Sequence, residues 1–464
     1  MADGSLEDTL RLARALSLAT PTFGSSRSPE LEAEALHGLA GDFVRLVEPH
    51  TESHPAALLL QFLSAFGNAV GAGPHFDVER TSHRGNLFVC IVGDTAKARK
   101  GTSLGWVEHV MREAAPDWAP RITSGLSSGE GVVQAVRDAP LFDEGDPGVD
   151  DKRLFIKESE FASVLKKMTR DGNSLSALLR DAWDSTHLQV LTRKDPLRAT
   201  GAHVSLVTHV TREELRALMT ATEQANGLAN RFLWALVHRT KKLPHGGQLK
   251  GDSEELLSLI SRVRSAVDRA TDRGLIEWAP AAKCLYGHVY GPLSDGLSGV
   301  LGKVTSRAEA QVTRLALLYA LLDGTVTIEF EHLTAALAGW RFCLESARAI
   351  FGDGTGSKLA DRFLAEMKLQ GPEGLVAPSC TSSPTTTQAK ALSIKPWRCS
   401  RRTGWRSRSR DGRQGPRPKC GLPSSSSQRA KTTAAGEWRH ERRFDLRPAR
   451  ANQPRRSLSR RRSR

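Results

Sequence analysis

The run Asn86-Leu-Phe-Val-Cys-Ile-Val92 leads into Gly93-Asp-Thr-Ala-Lys-Ala-Arg-Lys-Gly-Thr102-Ser103, and a helical pattern opens at Leu104. A buried strand, a glycine turn, a lysine, hydroxyls and a helix start are the parts with which a chain cradles phosphate. Backbone amides face the anion, the lysine meets the β- and γ-phosphates, and a hydroxyl ligates Mg²⁺. Gly93, Thr95, Lys100, Gly101, Thr102 and Ser103 are therefore candidate nucleotide ligands, with Thr102 also on the metal. The spacing departs from GxxxxGK followed by Ser or Thr, because Gly101 separates Lys100 from Thr102. Lys97, Arg99 and Lys100 read otherwise as an exposed basic turn.

Phosphoryl transfer also needs an acid at the end of a neighbouring strand, to hold the metal shell or polarise the attacking water. Arg153-Leu-Phe-Ile-Lys-Glu158-Ser-Glu160-Phe supplies two carboxylates after a short apolar run. The other reading of Glu158 and Glu160 is an acidic helix start. Thr208-His209 ends the run HVSLV and offers a polar pair to sense a γ-phosphate; a plain turn is the alternative. Arg231, between Asn226-Gly-Leu-Ala-Asn and an apolar run, is placed either as a finger toward a neighbouring subunit's nucleotide or as a structural ion-pair partner.

A competing chemistry lies in between. Gly125-Leu-Ser127-Ser128-Gly129 fits G-x-S-x-G between an expected strand and helix, where a hydrolase nucleophile stands. Asp184 and His203 or His209 follow in the order of a triad, but no HGGG-type segment precedes Ser127. Ser127 and Ser128 serve equally as caps of a helix starting near Gly129, with Glu130 in its first turn.

These residues need a scaffold. Apolar periodicity predicts helices over 6–16, 31–47 and 55–71, so residues 1–72 read as a helical entry segment. From 73 to 243 short apolar runs (86–92, 121–123, 153–156, 203–207 and 232–237) alternate with helical stretches, which predicts an α/β fold with a parallel sheet. Residues 244–356 return to long helical patterns, a lid or bundle beside the sheet. The apolar window 55–70 contains Gln61, Ser64 and Asn68 and is too short for a membrane span, so it reads as a buried helix.

In order, IVGDTAKARKGTS, SGLSSGEGVVQAVRD, RLFIKESEF, NSLSALLRDAWD with LTRKDPLRATGAHVSLVTHVTREEL, and NGLANRFLW resemble a largely uncharacterised family of RecA-like P-loop proteins. That family belongs to the replication modules of phages, plasmids and integrated elements and is often linked to a primase-polymerase. The resemblance spans roughly residues 55–374. It implies a RecA-like P-loop sheet, ATP and Mg²⁺ as cofactors, DNA as partner and an oligomeric ring. It implies nucleotide binding by Gly93, Lys100, Thr102 and Ser103, metal or water activation by Glu158 and Glu160, a catalytic base in Glu130 and an arginine finger in Arg231. It also makes residues 357–375 the first helix of a winged-helix module.

Composition completes the expectations. The chain carries 66 Lys plus Arg against 51 Asp plus Glu, a net +15, yet the last 90 residues hold 24 basic and 4 acidic ones. What precedes them is mildly acidic, which excludes a uniformly basic globule. Residues 376–464, rich in Arg and Ser and poor in large apolar residues, read as a disordered basic tail; an out-of-frame translation of GC-rich DNA gives the same mixture. Six scattered cysteines without a CxxC pair exclude a zinc finger and suit a reducing cytoplasm, and the first residues lack a secretory pattern. The expected function is an ATP-driven, helicase-like motor. A DNA-binding accessory protein without ATPase activity and a serine hydrolase using Ser127 are the alternatives.

Overall fold

The structure is a computed structural model that describes residues 3–19, 28–93, 98–140, 145–191 and 196–352. All of them lie in one of the two compact units of the chain, Met1–Ser379. Thr95 and Lys97 of the loop, the 357–375 helix and the 376–464 tail lie outside the described residues.

Helix α1 (Asp3–Ala19), a 3-10 turn (Ala33–Ala35), α2 (Gly38–Val47) and α3 (Pro55–Val70) come first. The single helix expected over 31–47 is thus broken at His37 and Gly38, where Gly38 has φ +52°. A hairpin of β1 (His75–Val78) and β2 (Thr81–Arg84) precedes β3 (Phe88–Gly93), α4 (Lys100–Ala114), β4 (Ile122–Thr123), α5 (Gly129–Gln134) and β5 (Arg153–Glu158). Then follow α6 (Phe161–Met168), α7 (Leu175–Asp184), the hairpin β6 (His187–Val190) and β7 (Leu197–Thr200), β8 (His203–Thr211), α8 (Arg212–Leu218), α9 (Ala221–Ala225) and β9 (Phe232–Val237). The last described part holds α10 (Glu254–Thr271), β10 (Glu277–Trp278), α11 (Pro280–Ser294), α12 (Gly299–Thr305), α13 (Ala308–Asp323), β11 (Thr327–Ile328) and α14 (Phe330–Phe351).

The central sheet is five-stranded and wholly parallel, in the order β4-β5-β8-β3-β9. Every residue of β3 is buried, and an unbroken apolar run is what a strand covered on both faces requires. Side chains alternate between those faces. Ile91 and His209, in register, face α3 and α4; Phe88 and Phe232, also in register, face α6, where Phe161 lies 5.4 Å from Phe232.

Helix α3 is buried from Ala56 to Val70, as an apolar helix in a core must be. Its three polar residues have work to do. Ser64 donates to Leu87 O, and Asn68 Nδ2 donates to Leu154 O and His203 O while its Oδ1 accepts from Trp118 Nε1. Gln61 reaches the other end of the sheet. Buried polar groups are tolerated when bonded in this way, so the stripe Gln61, Ser64 and Asn68 sets α3 against the strands. Helix α14 covers β9, with Phe351 5.1 Å from Trp234. Among the described residues no helix is long and apolar enough to cross a membrane.

Candidate nucleotide site

The connections around β3 reverse direction. From β3 the chain passes to β4 at one edge and returns inward through β5 and β8; β9 then pairs with the opposite side of β3. In a parallel sheet such a reversal opens a crevice at the carboxyl ends of the strands, where ligands of α/β proteins bind. Gly93 and Lys100 stand at that crevice. A methyl group on Gly93 would lie 2.5 Å from Ala98 Cβ and 3.1 Å from Lys100 Nζ, so the lysine folds back over the strand end and Ala98 is what a side chain at Gly93 would strike first.

Lys100 begins α4, a helix of 15 residues whose N-cap, Arg99, supplies no side-chain cap. The Thr102 and Ser103 amides bond to Arg99 O (3.1 and 3.3 Å), so no side chain caps this turn and the positive end of the helix dipole faces the strand end. Among the described residues nothing lies within 4 Å of where a Gly101 side chain would be. Thr102 is exposed and Ser103 buried. The Ser103 hydroxyl donates to Lys100 O (2.7 Å) and accepts from Gln61 Nε2 (2.7 Å), so of the two hydroxyls Thr102 is the one open to a metal.

Behind the loop runs a buried relay. Gln61 Oε1 accepts from His209 Nε2 at 3.2 Å, and Ser103 sits on the other end of the same amide. Burial, helped by the Lys100 charge, pushes His209 down to about 4, so the ring stays neutral and keeps a proton for Gln61. Thr208 donates to Val89 O (3.4 Å) from a fully buried position on the opposite face, beside Cys90, whose thiol burial pushes up to about 12. Of the expected polar pair, His209 is the one coupled to the loop helix.

Arg99 has φ +56°, a left-handed backbone costing roughly 1–2 kcal/mol for a side chain with a Cβ. Two contacts hold it there: Ser53 Oγ donates to Arg99 O (3.2 Å), and Arg99 Nε donates to Glu52 Oε2 (2.6 Å). The Glu52 carboxylate also accepts from Leu243 N (2.8 Å) and Arg239 (3.2 Å), and these bonds, the Leu243 amide foremost, lower it to about 2. Glu52 ties the loop helix, the entry to α3 and the exit from β9 together. Glu214 lies close enough for its carboxylate to be lowered by Lys100, after the larger effect of its bonds from Thr211, with which it forms a capping box on α8.

The remaining expected residues disperse. Glu158 ends β5, in register with Thr208, and its carboxylate accepts from Leu126 N in the turn after β4; Glu160 is the exposed N-cap of α6. Glu130 accepts from Ser174 Oγ (3.0 Å) at the start of α7, away from Lys100's helix. Ser128 caps α5 through Gly131 N, and Glu130 lies in its first turn, so the capping reading of that motif holds. Ser127 is exposed near the start of α7, whereas Asp184 is that helix's last residue, about 15 Å along at 1.5 Å per residue. Asp184 binds Arg231 and Arg307, and His203 binds Gly67 O, so the triad is not assembled.

Arg231 corrects the sequence expectation most sharply. It precedes β9, at the amino-terminal end of the sheet, 6% exposed, donating to Gly227 O and Asp184 and lying over Trp183. A guanidinium so enclosed is a structural ion-pair partner and does not reach a neighbouring subunit. Glu52, Gln61, Arg239 and Glu214 are the site residues that motif spacing missed; only Glu214 carried a local signal, the capping box Thr211-x-x-Glu214.

One further cluster has the spacing of metal ligands: His37, Asp323 and His332, with ligand atoms within 4.8 Å of one another. The Glu329 amide donates to His332 Nδ1 (2.9 Å), which keeps that ring's proton on Nε2, pointing at Asp323 Oδ2 (3.2 Å). A metal needs that nitrogen bare, so the cluster is a clasp between α2, α13 and α14. Compared with known proteins, the chain matches no family model and no curated sequence.

Proposed function

We propose that the protein binds ATP with Mg²⁺ at the carboxyl end of β3 and hydrolyses it as a RecA-like motor acting on DNA. The observation that carries this reading is Lys100 folded over Gly93 at the start of an uncapped helix, at the point where the parallel strand order reverses. Lys100 and the α4 amides neutralise the β- and γ-phosphates. Thr102 supplies the metal hydroxyl. Glu158, once its bond to Leu126 N opens, orders the attacking water, and His209 reports the state of the loop through Gln61 and Ser103. DNA, a mobile-element replication setting, a ring and a primase-polymerase partner rest on the sequence resemblance.

A second reading, nucleotide binding without turnover, is favoured by the Glu158 carboxylate being already engaged. DNA-stimulated phosphate release and binding of a fluorescent ATP analogue separate the two. Wild type is expected to turn over ATP, and Lys100→Ala to lose turnover by at least about 100-fold, in keeping with the loss of an electrostatic stabiliser. Binding without turnover in the wild type would establish the second reading, and equal turnover by both proteins would remove Lys100 from the site.

A further inference from the structure

At the opposite, amino-terminal end of the sheet, the β1–β2 hairpin, α11 and the start of α13 enclose an open cleft of about 460 Å³. Two exposed apolar residues meet in it, Val78 (42%) and Tyr290 (50%). Tyr290 is the outer end of a ladder of rings. It rests on Tyr286 (5.8 Å), Tyr286 stacks on Trp278 (4.8 Å, 23°), and Trp278 leans on buried Phe76 (4.9 Å). A ring supported in this way keeps one face toward solvent at little entropic cost. Such a rigid, half-exposed ring is a platform on which another planar group can stack.

The charged residues on the cleft wall are Arg307 and Glu309, and more arginines lie behind it. Arg307, on its wall, donates to Asp184 Oδ1 at 3.0 Å, and Arg231 binds the same carboxylate. Arg314, fully buried behind them, has only the carbonyls of Asn86 and Trp183 and the Asn86 amide for acceptors. With Arg84 and Arg180 nearby, five guanidiniums gather against the carboxylates of Asp77, Asp184 and Glu309. His83, which lines the cleft, is held down to about 4 by burial first and by Arg314 and Arg307 next, as expected in a positive field.

We infer that this cleft binds single-stranded nucleic acid, one base stacking on Tyr290 and the adjoining phosphate lying on Arg307. A base stacked inside a duplex has no free face to offer, whereas a single strand can present its bases to an aromatic platform. A free mononucleotide is too weak a ligand. One stacked base contributes roughly 1–3 kcal/mol, which alone corresponds to millimolar affinity or worse, so neighbouring phosphates of a polymer must add the rest. Glu309 faces the same cleft and keeps the backbone to the Arg307 side.

The inference shares with the proposed function only DNA as partner, and its test needs no ATP. Anisotropy of a labelled oligothymidylate is measured with the full-length, nucleotide-free protein, at salt sufficient to suppress binding by the basic carboxyl-terminal residues. Tyr290→Ala is expected to bind roughly 5- to 150-fold more weakly, with Tyr290→Phe and Lys100→Ala within about twofold of wild type. A 5-iodouracil strand is expected to crosslink to the peptide carrying Tyr290, a readout independent of any folding defect in the variant. Unchanged affinity of Tyr290→Ala, a crosslink mapping wholly elsewhere, or competition by duplex or thymidine monophosphate equal to that of the single strand overturns the inference. Loss of ATP turnover in Lys100→Ala would stand in every one of those cases.

Discussion

Gly93 is the residue on which the proposed nucleotide site turns, because a side chain there would meet Ala98 at 2.5 Å and the folded-back Lys100 at 3.1 Å. Gly93→Ala forces the new methyl against Ala98 and the lysine, an overpacking that costs roughly 1–3 kcal/mol. The expected result is a loss of ATP-analogue affinity of about tenfold or more by fluorescence titration, with the far-UV spectrum unchanged; undiminished affinity would show that Lys100 does not need that position. The meeting of Gly93 and Lys100 was legible because it is local, a strand end and a helix start within one run. Glu52 and Gln61 were not. They reach the loop from α3 and its entry turn, some forty residues upstream, and no spacing in the chain announces that contact. Arg231 was legible as an important arginine but not as a buried one, since its partner Asp184 comes from a different helix.

Elements with a continuous apolar run or a regular apolar stripe announced themselves: all five central strands fall within or beside the apolar runs read from the sequence, and α3, α10, α13 and α14 lie in the helical patterns. The hairpins β1–β2 and β6–β7 did not, because short, partly exposed strands carry polar residues on one side and their register is set by tertiary contacts. Helix α11, with Pro292 inside it, has no clean pattern either. The clasp that joins three helices makes a prediction at this scale. His37 is raised by its bond to Asp323, so its contribution is full below about pH 6.5 and lost as pH climbs through the raised value. Asp323 is lowered despite burial by His332 and His37, so its share is present above about pH 4 and lost below it. Asp323→Ala is expected to destabilise by roughly 1–3 kcal/mol at pH 6 and by less at pH 8, read by urea denaturation at both pH values; a larger loss at pH 8 would refute the clasp.

Over the whole molecule the acid response has the opposite sign. His54, His83, His203 and His209 are each held down to about 4, all chiefly by burial, so between pH 6.5 and 4 the unfolded chain binds protons that the folded chain refuses. Among the described residues these four groups outweigh the raised His37. The melting temperature is expected to fall steadily from pH 7 to pH 5, measured by scanning fluorimetry, and a flat profile would mean that these rings are hydrated in solution.

The position of β3 in the sheet has a consequence for the chain as it is made. Ile91 pairs with His209 on one side and Ala235 on the other. The strand that leads into the proposed phosphate loop is synthesised early but waits for partners more than a hundred residues downstream, the kind of distant pairing that slows folding. Until Val237 has left the ribosome, its apolar edges stand open to any other strand in reach. Nascent chains stalled between β3 and β9 are therefore the ones most in need of a chaperone, whereas a stop after Gly352 comes when every strand already has its neighbour.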